Sequence, residues 1–196
     1  MYDFQNHPEE DGDTEIQAEI YKAGISMSIL SKDFNELGRY AKLSLDLEER
    51  YADLYNDFEE RLYLDSEEEI EGQDTEQAPD DWLADRRRDH ALAWKNYGIA
   101  QASLGRFAHA NWSLERARNI QERRLESELD LPNGSEERYY RDLFEIYYHS
   151  AMVLGRMRSN YWGDRQKSVT CFKEARDASD HLPRSEAILR YEQCCD

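Results

Sequence analysis

The chain has 196 residues, 12% of them aromatic (13 Tyr, 4 Trp), almost no Val, and a formal charge of −18, a balance that favours one helical domain with a sizeable core over sheets. No apolar run of about 18 residues and no basic-then-apolar start are present, so neither a membrane span nor a secretory leader is expected, and the expected setting is soluble, intracellular and cytoplasmic. Cys171, Cys194 and Cys195 form neither an even disulfide set nor a CxxC pair, which points to reduced, structurally incidental thiols.

The acidity is unevenly placed. Residues 1–15 hold six acids and residues 65–81 hold nine, with no Lys or Arg in either, which leaves −3 for the remainder. Both segments are too polar to pack, so 1–13 reads as a disordered acidic tail and 65–80 as a disordered acidic linker. The folded body is nearly neutral. No basic face beyond Arg86-Arg87-Arg88 is available for phosphates, and nucleic acid is not an expected partner.

In chain order, Thr14-Glu-Ile-Gln17 has the form of a capping box, and Ile16, Ile20, Ala23, Met27 and Leu30 fall on one helical stripe. Gly24 sits where a second helix can approach. Asp33, with Glu36 three residues on, caps a second helix running to about Leu64, which closes a first hairpin over 14–64. The extension of that helix carries Leu47, Tyr51, Leu54, Phe58 and Leu62. This stripe either covers the following hairpin or offers a self-association seam.

Pro79-Asp80-Asp81 opens the second hairpin, 81–129. Trp94, Tyr97, Gln101 and Leu104 recur at helical steps, Gly105 supplies a C-terminal stop, and Phe107, Ala110, Leu114 and Ala117 line a second helix. Small Gly98, Ala110 and Ala117 mark where the backbones cross. After Pro132-Asn133-Gly134 a third hairpin, 135–182, repeats the first-helix pattern in Phe144, Tyr147, Ala151 and Leu154-Gly155 and the second-helix pattern in Ser168, Phe172 and Ala175. Pro183 stops it, and residues 184–196, with Ile188, Leu189 and Tyr191, read as an amphipathic capping helix.

Trp94, Tyr97-Gly98, Leu104-Gly105, Phe107, Ala110 and Ala117 resemble the tetratricopeptide repeat. The resemblance covers 92–117 fully and 135–182 in part. It is weak over 14–64, where a one-residue slip near Ser31 is needed, and Glu122 stands where the family's closing Pro falls. The 50-residue spacing between the two Leu-Gly pairs is similar to the longer-helix variant found in kinesin light chains. It implies an all-α fold of three antiparallel hairpins stacked as a short right-handed solenoid. It also implies a non-catalytic protein-binding groove lined by the first helix of each hairpin, here Leu92, Lys95, Asn96, Ile99, Ala102 and Ser103, then Glu145, Ile146, His149 and Met152. Asn96 matches the family's peptide-binding Asn, a role that suits an amide because it both donates and accepts. Asp142 and Ile146 stand where a carboxylate clamp needs a basic third helix, so a clamp is not expected.

Catalytic signatures (HExxH, GxSxG, a phosphate-binding Gly-rich loop, paired ExxH) are missing from the sequence. Glu145 and His149 share a helical face, and Glu67-Glu68-Glu69 is a carboxylate run. Neither pattern has the ligand number or fixed geometry of a metal site, and no cofactor is expected. The expected partner is a protein or peptide, with homodimerisation through the 47–62 stripe as the alternative.

Overall fold

Residues 12–67, 80–127, 135–157, 162–183 and 185–187 are described by a computed structural model. They form α1 (Gly12–Ser31), α2 (Phe34–Glu67), α3 (Asp80–Ser103), α4 (Phe107–Ser127), α5 (Ser135–Arg156) and α6 (Trp162–Ser179), with one helical turn at 185–187 and no strand among them. Residues 1–11 of the expected tail 1–13, residues 68–79 of the linker, and cap residues 184 and 188–196 lie outside the described residues, while Gly12 and Asp13 open α1 and Asp80 opens α3. Asp65, Ser66 and Glu67, expected in the linker, continue α2 instead, because a helix already under way extends at little cost through good helix formers such as Glu.

Two tight connections use the same turn. After α3, Gly105 has φ 75, its amide bonds to the Ala102 carbonyl, and the Arg106 amide reaches back to Gln101 O at 2.9 Å. After α1, Lys32 takes the same left-handed conformation, φ 58, and the Asp33 amide bonds to Ser28 O at 3.0 Å. Both are Schellman-type stops, which satisfy helix-end carbonyls within two residues and turn the chain back on itself. Asp33 then caps α2, its Oδ1 accepting from the amides of Asn35 and Glu36 at 3.2 and 3.1 Å.

Each helix packs on its neighbour in sequence, and α3 also meets α5. In α1 and α2, Gly24 lies under the Tyr40 ring and Ile25 packs with Leu37, Ala41 and Ala100. Leu114 and the Ala110 carbonyl close over Gly98, where an added Cβ would sit 2.9 Å from Leu114 Cγ. Between α5 and α6, Ser168 Oγ donates to the Ala151 carbonyl at 2.9 Å. These pairings make successive helices antiparallel, so α1, α3 and α5 share one direction and α2, α4 and α6 the other. Trp94 stands where four helices meet, packed with Leu45, Ala93, Ala117 and Ile146. Its indole N–H donates to His90 Nε2 at 3.0 Å, which lets a polar edge be buried without loss.

The apolar stripe of α1 is not its buried face, and one expected groove position is buried. The stripe Ile16, Ile20, Met27 and Leu30 points to solvent, 60%, 53%, 70% and 84% exposed, and the side of α1 carrying Gly24, Ile25 and Ser28 is the one buried. Small residues at Gly24 and Ser28 let α2 approach closely, which the bulky stripe would prevent. Ile146, expected on the groove face of the third hairpin, is fully buried against Trp94. It fills the four-helix junction from the α5 side, where an Asn would lack partners.

Candidate functional site

The layer of first helices is cross-linked by ion pairs. Arg88 on α3 holds Asp142 on α5, with Nε to Oδ2 at 2.6 Å, and Lys95 Nζ reaches Glu145 Oε2 at 2.5 Å. Asp142 and Lys95 are nearly closed to solvent, with side chains 7% and 9% exposed. Charges this desolvated are stable only when paired, and the separations of 54 and 50 residues follow from α3 and α5 running parallel. Lys95, expected to meet a ligand, is thus spent on holding α3 to α5. Glu145 is its counter-ion.

The other expected groove residues divide by face. Leu92, Asn96, Ile99 and Ser103 keep partial or full exposure on one stripe of α3, and no described residue bonds the Asn96 amide. Ser103 Oγ donates to the Ile99 carbonyl, the residue four back in the same helix. Ala102 turns aside and packs on Ala110, Leu114 and Val153. On α5, His149 and Met152 are half-buried in line with Glu145, with His149 edge-on to the Tyr148 ring.

The α3 stripe extends further toward its N-terminus than expected. Asp85 and Asp89 continue the same 4,3,4,3 spacing upstream of Leu92. They line a cleft of about 380 Å³ between α1, α2 and α3, with Glu15, Glu19 and Lys22 from α1 and Tyr51 from α2. Lys22 is drawn to both walls, 3.3 Å from Glu19 and 3.8 Å from Asp89. Arg86 stacks over Tyr51, its guanidinium 4.9 Å from the ring centroid. Near this cleft Glu48 is buried on α2, and its Oε2 has no hydrogen-bond partner among the described residues. Burial, and behind it the Asp89 carboxylate, push its carboxyl up to about 7, against the pull of Lys22. The cleft therefore carries an excess of carboxylates over cations. Its signal in the sequence was the helical period running back from Leu92; what hid it was the contribution of α1 and α2.

No family model, no curated protein and no solved structure matches the chain. Among the described residues no three His, Cys, Asp or Glu side chains gather into a metal-holding group, and no helix is long and apolar enough to cross a membrane. Burial pushes the Cys171 thiol up, which keeps it in the unreactive protonated form. Leu47 is buried and Tyr51 lies beneath Arg86; the side chains of Leu54, Phe58 and Leu62 lie outside the described residues.

Proposed function

We propose that the chain is a non-catalytic protein-interaction module, a tetratricopeptide-like scaffold whose first-helix layer receives a peptide or helical segment of a partner. The observation that carries this reading is the continuous stripe Asp85, Asp89, Leu92, Asn96, Ile99 and Ser103, every member of it at least partly open to solvent. At 1.5 Å per residue it runs on the order of 27 Å along α3, long enough for a short segment bound in register. Asn96 offers an amide to the partner's backbone and Ile99 an apolar contact. The acidic cleft at the N-terminal end suits a Lys or Arg of the same segment, because complementary charge steers the encounter and fixes its direction.

The test is capture of partners from native lysate by the wild-type chain and by an Asn96→Ala, Ile99→Glu variant, with circular dichroism confirming that both are folded. Lys95 is left intact, since its loss would disturb the α3–α5 contact. A protein retained by the wild type and lost by the variant is the expected result. If both forms retain the same proteins, or neither retains any, the groove reading fails.

A further inference from the structure

The exposed stripe of α1 is a second surface, separate from the cleft. Ile16, Ile20, Ala23, Met27 and Leu30 are spaced 4, 3, 4 and 3, the repeat of a helix seam. Residues 23–31 contain no charged side chain in a chain that is 35% charged. The cleft residues Glu15, Ala18, Glu19 and Lys22 lie to one flank of the stripe, and the side bearing Ile25, packed on α2, lies behind it. Apolar exposure here is concentrated, not scattered, which marks an interaction surface.

We propose that this stripe is a homodimer seam, on which α1 of a second copy packs antiparallel about a two-fold axis near Ala23. Three observations favour a second copy. First, the stripe is close to self-complementary about Ala23: Ile16 matches Leu30, Ile20 matches Met27, and the small Ala23 meets itself at the axis, as an isologous contact requires. Second, antiparallel pairing about Ala23 sets Glu15 of one copy opposite Ser31, next to Lys32, and Glu19 opposite Met27 of the other, whereas parallel pairing sets Glu15 against Glu15 and Glu19 against Glu19. Third, the four large side chains, 53% to 84% exposed, leave on the order of 500 Å² of apolar surface. Two copies together then remove about 1,000 Å² from water, the lower bound for a specific interface. A lipid surface fits less well, since the flanks carry acids where an interfacial helix carries Lys and Arg. This seam is independent of the groove reading and leaves the cleft open.

Sedimentation velocity across a concentration series tests it, comparing the wild type with a Met27→Glu, Leu30→Glu variant. Both replaced side chains are largely solvated in the single chain, 70% and 84% exposed, so the variant keeps its helical signal, and its melting temperature matches the wild type's at concentrations where both are monomeric. The expected result is wild-type protein reaching twice 23.2 kDa with rising concentration, strengthened by salt as the acidic copies are screened from each other, and a variant that stays monomeric. In a chain with all three cysteines replaced by Ala, Ala23→Cys forms an intermolecular disulfide and Ile16→Cys does not. A disulfide through Ile16→Cys would overturn the antiparallel arrangement. Wild type monomeric throughout, a variant that still dimerises, dimerisation only after removal of residues 1–11, or a monomer that co-sediments with anionic vesicles would each overturn the seam.

Discussion

Lys95 of α3 and Glu145 of α5 form an ion pair across 50 residues of sequence, and the Lys side chain is only 9% exposed while that of Glu145 is 30% exposed. Together with Arg88 and Asp142 the pair fixes the register of the second hairpin against the third. Replacing Lys95 by Met removes the cross-helix half of this pair from the half-buried Glu145. Urea unfolding is expected to show a loss of about 2 kcal/mol. Lys95→Glu costs more, because two carboxylates then face each other. The swap Lys95→Glu, Glu145→Lys recovers part of that loss, and no recovery in the double variant would mean that the pair does not couple the helices.

Glu48 makes stability depend on pH. Its carboxyl is raised from 4.5 to about 7, chiefly by burial, so the folded chain holds that proton more tightly than the unfolded chain. Below 4.5 both states are neutral at this site and its contribution is full. Between 4.5 and 7 only the unfolded chain has released the proton, so stability falls as pH rises, and above 7 the whole cost, about 3 kcal/mol, is present. Glu48→Gln removes this segment of the pH dependence. The stability difference between variant and wild type should grow in the variant's favour from pH 5 to pH 8; a difference that stays flat would place the titration elsewhere.

The two Schellman turns differ in the residue that takes the left-handed conformation, Lys32 in the first and Gly105 in the second. A side chain there costs about 1 kcal/mol relative to Gly. Lys32→Gly should therefore raise the unfolding free energy by roughly 0.5 kcal/mol after the added freedom of the unfolded chain is subtracted. Gly105→Ala should lower it by about 1 kcal/mol. Thermal melts of the two variants would move in opposite directions.

Gly98 allows α3 and α4 to touch. A Cβ there meets Leu114 Cγ at 2.9 Å and the Ala110 carbonyl oxygen at 3.2 Å, and the second of these is backbone that cannot rotate away. Gly98→Ala gains helix propensity of about 1 kcal/mol but forces the helices apart at a cost of roughly 1–3 kcal/mol. A net loss of stability by urea unfolding is expected. A gain would show that the crossing has slack.

Local signals in the sequence announced the helices and their stops, and those signals act over a few residues. Asp33 caps because its side chain reaches amides two and three positions on. Gly105 turns because only the local backbone decides φ. Gly98, Ala110 and Leu114 pack together because a three-residue connection folds α4 straight back on α3. The faces were harder. On α1 the period marked the apolar stripe from Ile16 to Leu30 and Gly24 marked a point of close approach, and burial went to the side bearing Gly24 and Ser28 because α2 packs there. Likewise the sequence placed Lys95 and Asn96 on neighbouring positions of one helix and could not separate their roles. The arrival of Glu145 from 50 residues away buried the first and left the second open, and the cleft between α1, α2 and α3 exists only through the same kind of long-range assembly. What periodicity determines is which residues share a face; which face finds a partner is decided by the shapes and charges that the other helices bring to it.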